Sequence, residues 1–163
     1  MKEHIIDFFS TLPDGLATFF VAMIPITELR ASIPFAILKL DMPPIEAFVY
    51  SVLGNVFAGV LVLIFVENVL HVLLNCIGPL KNFWEKYIHR IHTKNKDKFE
   101  KWGAVALVTF VAIPLPLTGI VTGAVAASIF QIPFRKAIPF LVLGSIIAGI
   151  FVTFLTIGTD FLI

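Results

Sequence analysis

Two ionisable residues, Glu28 and Arg30, lie within an apolar segment that runs from Gly15 to Leu38. An ionised side chain at the centre of a bilayer costs at least about 2.5–3.5 kcal/mol on insertion scales, so such residues face a protein interior or a wet cavity. Glu28 could carry a proton or pair with a cation, and Arg30 could neutralise it or bind an anionic headgroup. A purely structural Glu28–Arg30 pair is the alternative, although residues two apart do not face each other on a regular helix.

Two threonines suggest a second kind of chemistry. Thr27 and Thr118 each follow a proline, Pro25 and Pro116, by two residues. Threonine there can cap the N-terminus of a helix, and two such N-termini near the membrane centre would present partial positive charge to an anion. Backbone capping alone is the simpler interpretation, and Asn55 could complete a polar cluster or only link two helices. The predicted substrate or proton site comprises Thr27, Glu28, Arg30, Asn55 and Thr118.

Glu67 and His71 lie one helical turn apart near the end of an apolar segment. Such a pair could relay protons, and a polar stripe at the membrane interface is the alternative. The sequence contains no nucleophile elbow, phosphate-binding glycine loop or metalloprotease motif. The one cysteine, Cys76, excludes an internal disulfide. We therefore predict no enzymatic activity, no cofactor and no metal site.

The composition predicts an all-α integral membrane protein. Of the 163 residues, 58% are hydrophobic and 14% are charged, against about 45–50% and 25% in soluble domains. We expect a single membrane domain over residues 1–163, with membrane lipids and a small-molecule or lipid substrate as partners and no nucleic acid. A chain this small would struggle to enclose a pathway alone, so a homodimer is also predicted.

Four apolar segments follow one another along the chain. The second and fourth are long enough for the roughly 20 apolar residues that a membrane span needs. The first and third contain prolines, and Pro25 and Pro34 are expected to interrupt the helix because each removes a backbone donor. Broken backbone at membrane depth is tolerated where protein or water satisfies its freed groups. The interrupted segments therefore favour re-entrant helical hairpins over kinked spans. The four segments are 16–40, 45–77, 104–132 and 138–163.

The two halves of the chain resemble each other. Residues 52–60 (VLGNVFAGV) match residues 142–150 (VLGSIIAGI) at an offset of 90. Residues 25–27 (PIT) match residues 116–118 (PLT) at an offset of 91. Interrupted segments at corresponding positions of two repeats are typical of a transporter-like binding site. The predicted order is repeat 1 at about residues 15–77, an amphipathic linker at 78–102, and repeat 2 at about 103–163.

The distribution of basic residues predicts the orientation of the repeats. Residues 81–101 hold seven of the twelve Lys and Arg residues, and their aromatic residues recur at helical spacing. This pattern indicates a basic amphipathic helix at the membrane surface. With two hairpins and two spans, Arg135 and Lys136 fall on the same side as this linker; with four spans they do not. The positive-inside rule therefore favours inverted repeats in a multi-pass plasma membrane protein whose linker is cytoplasmic.

Residues 26–37 (ITELRASIPFAI) and 110–123 (FVAIPLPLTGIVTG) resemble the DedA (VTT-domain) superfamily. The sequence looks most like its branch named "putative small multidrug export protein". That name implies export of small molecules. The DedA resemblance implies proton-coupled transport, or flipping of lipids such as undecaprenyl phosphate, with an acidic residue in the first hairpin that Glu28 matches. It also implies arginines around the proline of the second hairpin, and here the positions flanking Pro114 are Val111, Ala112 and Leu117.

These observations predict a small secondary transporter or exporter, with its site at the membrane midplane where the hairpin tips meet. Coupling to protons would pass through Glu28. A lipid flippase or scramblase of the polyprenyl-phosphate type is the first alternative. A non-transporting membrane scaffold or assembly subunit is the second.

Overall fold

The computed structural model describes residues 12–76, 103, 105–113, 119–130 and 132–160. Within these residues the secondary structure is entirely helical, which confirms the all-α class. The predicted linker at 78–102 and Thr118 lie outside the described residues. The helices are α1 (Asp14–Met23), α2 (Glu28–Lys39), α3 (Pro44–Cys76), α4 (105–112), α5 (Ile120–Ile129) and α6 (Phe134–Asp160).

Helices α3 and α6 are long and apolar enough to cross a membrane. Their apolar stretches, Pro44–Val69 and Phe134–Thr159, contain 26 residues each, or about 39 Å at 1.5 Å per residue. Large apolar side chains point outwards from both helices: Phe65 is 68% exposed and Phe154 is 73% exposed. An exposed apolar surface of this kind suits contact with lipid. The two helices correspond to the two uninterrupted apolar segments of the sequence.

The chain turns sharply between α1 and α2. Helix α1 ends at Met23, and Ile24 takes an extended conformation at φ −70° and ψ 120°. Helix α2 then begins at Glu28. With 10 and 12 residues, these helices are only about 15–18 Å long. The predicted interruption around Pro25 is therefore present.

Pro34 does not interrupt the helix. It lies inside α2, so the prediction of a second break there is wrong. A proline removes one helical hydrogen bond, and neighbouring helices can compensate for such a loss in a membrane protein. Here the residues beside it, Ile33 and Ala36, are fully buried. Their packing against neighbouring elements holds this part of α2 in helical form.

The two long helices run antiparallel. Asn55 of α3 is hydrogen-bonded to Ser145 of α6, and earlier residues of α3, Phe48 and Val52, lie against Gly149, a later residue of α6. Residue numbers therefore fall along α3 as they rise along α6. This arrangement brings the middle of the two helices together at the Asn55–Ser145 pair.

Each long helix also packs against a short helix of the other half of the chain. Leu29 and Ile33 of α2 pack with Ala148 and Val152 of α6. In the same way, Ile120 of α5 packs against Gly59 of α3. This exchange brings the start of α2 and the start of α5 to the centre of the bundle.

The long helices contact the first short helix of their own half through glycines. A β-carbon at Gly54 of α3 would overlap the carbonyl oxygen of Phe19 in α1. A β-carbon at Gly144 of α6 would come within 2.7 Å of Val111 in α4. Glycine at these positions permits the close approach of two helices. Gly54 and Gly144 therefore serve packing.

Candidate functional site

Glu28 stands at the centre of the candidate site, where the chain enters α2. Glu28 is only 8% exposed. Its backbone adopts φ 46°, a left-handed conformation that is uncommon for a residue with a side chain. Such strain persists where the surrounding structure holds it, and it is found preferentially at functional sites. The side chain is thereby directed away from its own hairpin.

The carboxylate of Glu28 caps a helix of the other half. Its Oε1 accepts a hydrogen bond from the backbone N–H of Val121 at 3.4 Å, and the N–H of Ile120 also interacts with the carboxylate. The first N–H groups of a helix have no partner within the helix, and the helix dipole favours negative charge there. Glu28 therefore supplies the anionic cap for α5.

Gly119 makes room for this contact. It is the residue before α5, and a β-carbon at this position would overlap the carboxylate of Glu28. Its backbone is extended, with φ 175°, a conformation that any residue can adopt. Glycine is therefore required here because there is no space for a side chain. Its own N–H donates to the hydroxyl of Thr122 at 3.0 Å. Gly119 was not identified from the sequence, although the 91-residue offset that aligns Thr27 with Thr118 also aligns Gly119 with Glu28.

Asn55 forms a hydrogen bond between the two long helices. Its Nδ2 donates to Oγ of Ser145 at 3.2 Å, and the two residues are 1% and 0% exposed. They are separated by 90 residues, the offset of the matching segments in the sequence. A buried polar link of this kind fixes the register of two apolar helices, which otherwise slide easily against each other.

Two further buried hydroxyls belong to this polar region and were not identified from the sequence. Ser32 follows Glu28 by one turn on α2, and Ser51 precedes Asn55 by one turn on α3. Both residues are fully buried. Their hydroxyl oxygens, like Oδ1 of Asn55, have no hydrogen-bond partner among the described residues.

Arg30 lies on the other side of α2 from this polar region. It is half-buried and close enough to Glu28 for their charges to attract. It also borders an open groove of about 310 Å³ between α2 and α6. The remaining residues lining this groove are Pro34, Leu38, Val152, Leu155, Thr156 and Thr159.

Thr27 does not cap α2, so the predicted N-terminal cap is wrong. No side-chain hydrogen bond caps this helix. The hydroxyl of Thr27 instead donates to the carbonyl oxygens of Val21 at 3.1 Å and Ile24 at 3.3 Å. These carbonyls also accept backbone N–H groups within the turn. Thr27 has its backbone in the helical region, at φ −93° and ψ −47°, with its hydroxyl directed back towards them. Thr27 therefore fastens the turn between α1 and α2.

The Glu67–His71 relay stays a prediction. Helix α3 continues through both positions, and Glu67 is exposed near the end of the apolar stretch. The side chain of His71 lies outside the described part of the chain. Within that part, no group of three or more His, Cys, Asp or Glu residues could hold a metal ion.

The fold and the site together define a class: a helical membrane protein with two apolar helices of spanning length and a buried polar centre. The family model described as "Putative small multi-drug export protein" matches residues 28–151. Because the match covers well over half of the chain, the protein belongs to this family. The match begins at Glu28 and includes Asn55, Gly119 and Ser145. Comparisons with curated proteins and with solved structures find no match.

Proposed function

We propose that the protein is a small secondary membrane exporter whose substrate or proton site lies around Glu28. The observation that carries the proposal is the capping of α5 by Glu28. A carboxylate from the first half of the chain holds the start of a short helix from the second half, inside an apolar bundle. Ionisable groups inside a membrane are costly and mark substrate or proton pathways. The export described in the family name agrees with this role.

We further propose that the chain consists of two inverted repeats, each a re-entrant hairpin followed by a span. The antiparallel course of α3 and α6 supports this arrangement. Two central contacts support it as well: Glu28 with Gly119, and Asn55 with Ser145, join positions related by the repeat offsets. Two residues that are related by a two-fold axis and touch each other must lie next to that axis, one on each side. The polar centre would thus lie on the axis between the repeats, where transporters of this kind bind substrate.

The same contacts suggest a mechanism. Ionised Glu28 ties the start of α2 to the start of α5. A proton, or the cationic group of a substrate, would neutralise the carboxylate and weaken its attraction to the helix dipole. The two short helices could then separate on one side of the membrane and open the site. Glu28 would in this way couple the proton or the substrate to the change of access.

A lipid flippase or scramblase is the second candidate, and the groove beside Arg30 favours it. The groove combines a cation and two threonines with apolar side chains, and its rim includes Leu38 and Leu155, which are exposed on the outer surface of the bundle. An anionic lipid headgroup fits this chemistry, in keeping with the DedA resemblance. A non-transporting scaffold is the third candidate, and under it Glu28 has a structural role only.

The deciding experiment measures flux in proteoliposomes that contain the purified protein. Ethidium serves as the transported probe, and an enclosed pH-sensitive dye reports proton movement. Glu28→Gln retains the size and an acceptor oxygen but not the charge, and Glu46→Gln removes an exposed carboxylate of α3 as the matched control. An exporter loses at least tenfold in flux with Glu28→Gln and little with Glu46→Gln. Two results together would favour the non-transporting scaffold instead. Glu28→Gln would melt at a lower temperature than the wild type, and neither protein would move ethidium or protons.

The proposed topology, with the linker cytoplasmic and the protein in the plasma membrane, has its own test. Single cysteines at Lys2, Arg90 and Lys136 are introduced in a Cys76→Ser background and labelled on intact cells with a membrane-impermeant thiol reagent. We expect labelling at position 2 only. If positions 2 and 90 share a side and position 136 lies on the other, all four segments cross the membrane. The inverted repeats would then be wrong.

A further inference from the structure

Among the described residues, three buried side-chain oxygen atoms lack a hydrogen-bond partner, and all three lie in the first half of the chain. They are Oγ of Ser32, Oγ of Ser51 and Oδ1 of Asn55. Other buried hydroxyls in the described helices behave differently: Ser128 and Thr156 each donate to the carbonyl four residues earlier in their own helix. Buried polar groups are nearly always hydrogen-bonded, so each exception calls for an explanation.

Two of these atoms share a face of α3, and the third lies on the helix that packs against it. Ser51 and Asn55 are four residues apart and therefore lie on the same side of α3. The amide nitrogen of Asn55 is committed to Ser145, which leaves Oδ1 as an acceptor. Ser32 is on α2, which packs against α3, and it lies one turn after Glu28, the first residue of that helix.

The corresponding positions in the second half of the chain hold apolar residues. There, Gly123 of α5 packs against the side chain of Leu141 in α6, and a β-carbon at Gly123 would come within 3.1 Å of it. Under the proposed repeat, Ser32 corresponds to Gly123 and Ser51 to Leu141. The first half thus has two small hydroxyl residues where the second has a glycine covered by leucine. The corresponding positions are more polar in the first half.

We propose that Ser32, Ser51 and Asn55 form a subsite for a hydrogen-bond-donating group, namely the protonated primary amine of an amphiphilic substrate. This inference rests on the proposed export function and names its substrate class. Oδ1 of Asn55 can only accept, and each serine hydroxyl can accept as well. Glu28, at the start of the same helix as Ser32, adds negative charge, whereas Arg30 borders the separate groove towards α6.

The test is calorimetric titration of the full chain in lipid nanodiscs, with empty nanodiscs as the blank. Benzylamine and benzyltrimethylammonium carry the same ring and the same charge, but only benzylamine has N–H donors. We expect benzylamine to bind at least tenfold more tightly than the quaternary compound. Ser32→Ala and Ser51→Ala should each weaken benzylamine binding about tenfold, whereas Ser128→Ala, at a buried serine with an internal partner, should not. Equal binding of the two compounds, or no effect of the Ser32 and Ser51 changes, would overturn the proposal.

A second variant guards against loss of folding. Ser32→Gly combined with Ser51→Leu introduces the pair found in the second half, and it should keep or raise the melting temperature while abolishing benzylamine binding. A stable variant that still binds benzylamine contradicts the subsite. The two proposals also fail separately. Ethidium flux that depends on Glu28, without selective benzylamine binding, leaves the exporter standing and removes the subsite. Selective benzylamine binding without flux of ethidium or protons would support the subsite and contradict the exporter.

Discussion

The carboxylate of Glu28 occupies the space that a side chain at Gly119 would need. It also caps α5, the helix that begins at the residue after Gly119. The two residues lie 91 positions apart in the chain. The first half of the chain provides the charge, at Glu28. The second half has no side chain at the facing position, Gly119. This asymmetry between otherwise similar segments concentrates the chemistry of the protein at one point.

Gly119→Ala should destabilise the protein by about 1–3 kcal/mol, the usual range for overpacking a well-packed site. The methyl group would displace the Glu28 carboxylate and uncap α5. Gly158→Ala is the matched control, because a β-carbon at Gly158 meets nothing within 4 Å. Thermal unfolding in detergent, followed by circular dichroism, measures both.

A double mutant shows whether the cost arises at Glu28. In a Glu28→Ala background the clash is gone, so Gly119→Ala should cost much less than it does in the wild type. The same cost in both backgrounds would contradict the steric explanation.

Because α1 and α3 approach each other closely, stability should be more sensitive to a substitution at Gly54 than to one at Gly59. A β-carbon at Gly54 meets the backbone carbonyl of Phe19, whereas at Gly59 it meets the side chain of Ile120. A side chain can move or be shortened, and a helix backbone cannot without moving the helix. Gly59→Ala should therefore cost much less in an Ile120→Ala background, which lacks the side-chain atoms that the new methyl group meets, and no truncation of a single side chain should relieve Gly54→Ala. Melting temperatures of the single and double variants test this contrast.

The hydrogen bond between Asn55 and Ser145 predicts a cross-link. In a Cys76→Ser background, cysteines at these two positions should form a disulfide on mild oxidation, because the two side chains already touch. Cysteines at Leu53 and Leu143, which stand at the same 90-residue offset but are exposed, should not. Mass spectrometry of the digested protein identifies the linked peptides. Equal linkage in both pairs would contradict the antiparallel packing of α3 and α6.

Thr27→Ala should lower stability by about 0.5–1.5 kcal/mol, the usual net value of a hydrogen bond. Its hydroxyl bonds the carbonyls of Val21 and Ile24, and alanine leaves them without this donor. Thr27→Ser keeps the hydroxyl and should lose much less. If Thr27 capped α2 instead, the hydrogen exchange of the first α2 amides would rise in Thr27→Ala; we expect the change at the end of α1.

Local features of the sequence predicted much of the secondary structure. The apolar segments at 45–77 and 138–163 anticipated α3 and α6, and Pro25 anticipated the turn between α1 and α2. Pro34 and Thr27 were misjudged for a shared reason. Each was interpreted from its own preference, and the outcome depended on neighbours: buried packing holds α2 together around Pro34, and the hydroxyl of Thr27 bonds the carbonyls of Val21 and Ile24 in the preceding turn.

The sequence by itself determined that the chain is helical and apolar, how long its uninterrupted helices are, and that Glu28 lies at a break among apolar residues. These properties follow from residue type and from spacing over a few turns. Only the tertiary structure decided that Glu28 caps α5 beside Gly119, that Asn55 meets Ser145, and that Ser32 and Ser51 are buried without partners. Those contacts join residues far apart in the chain, and they depend on how several helices pack at once, which no local pattern specifies.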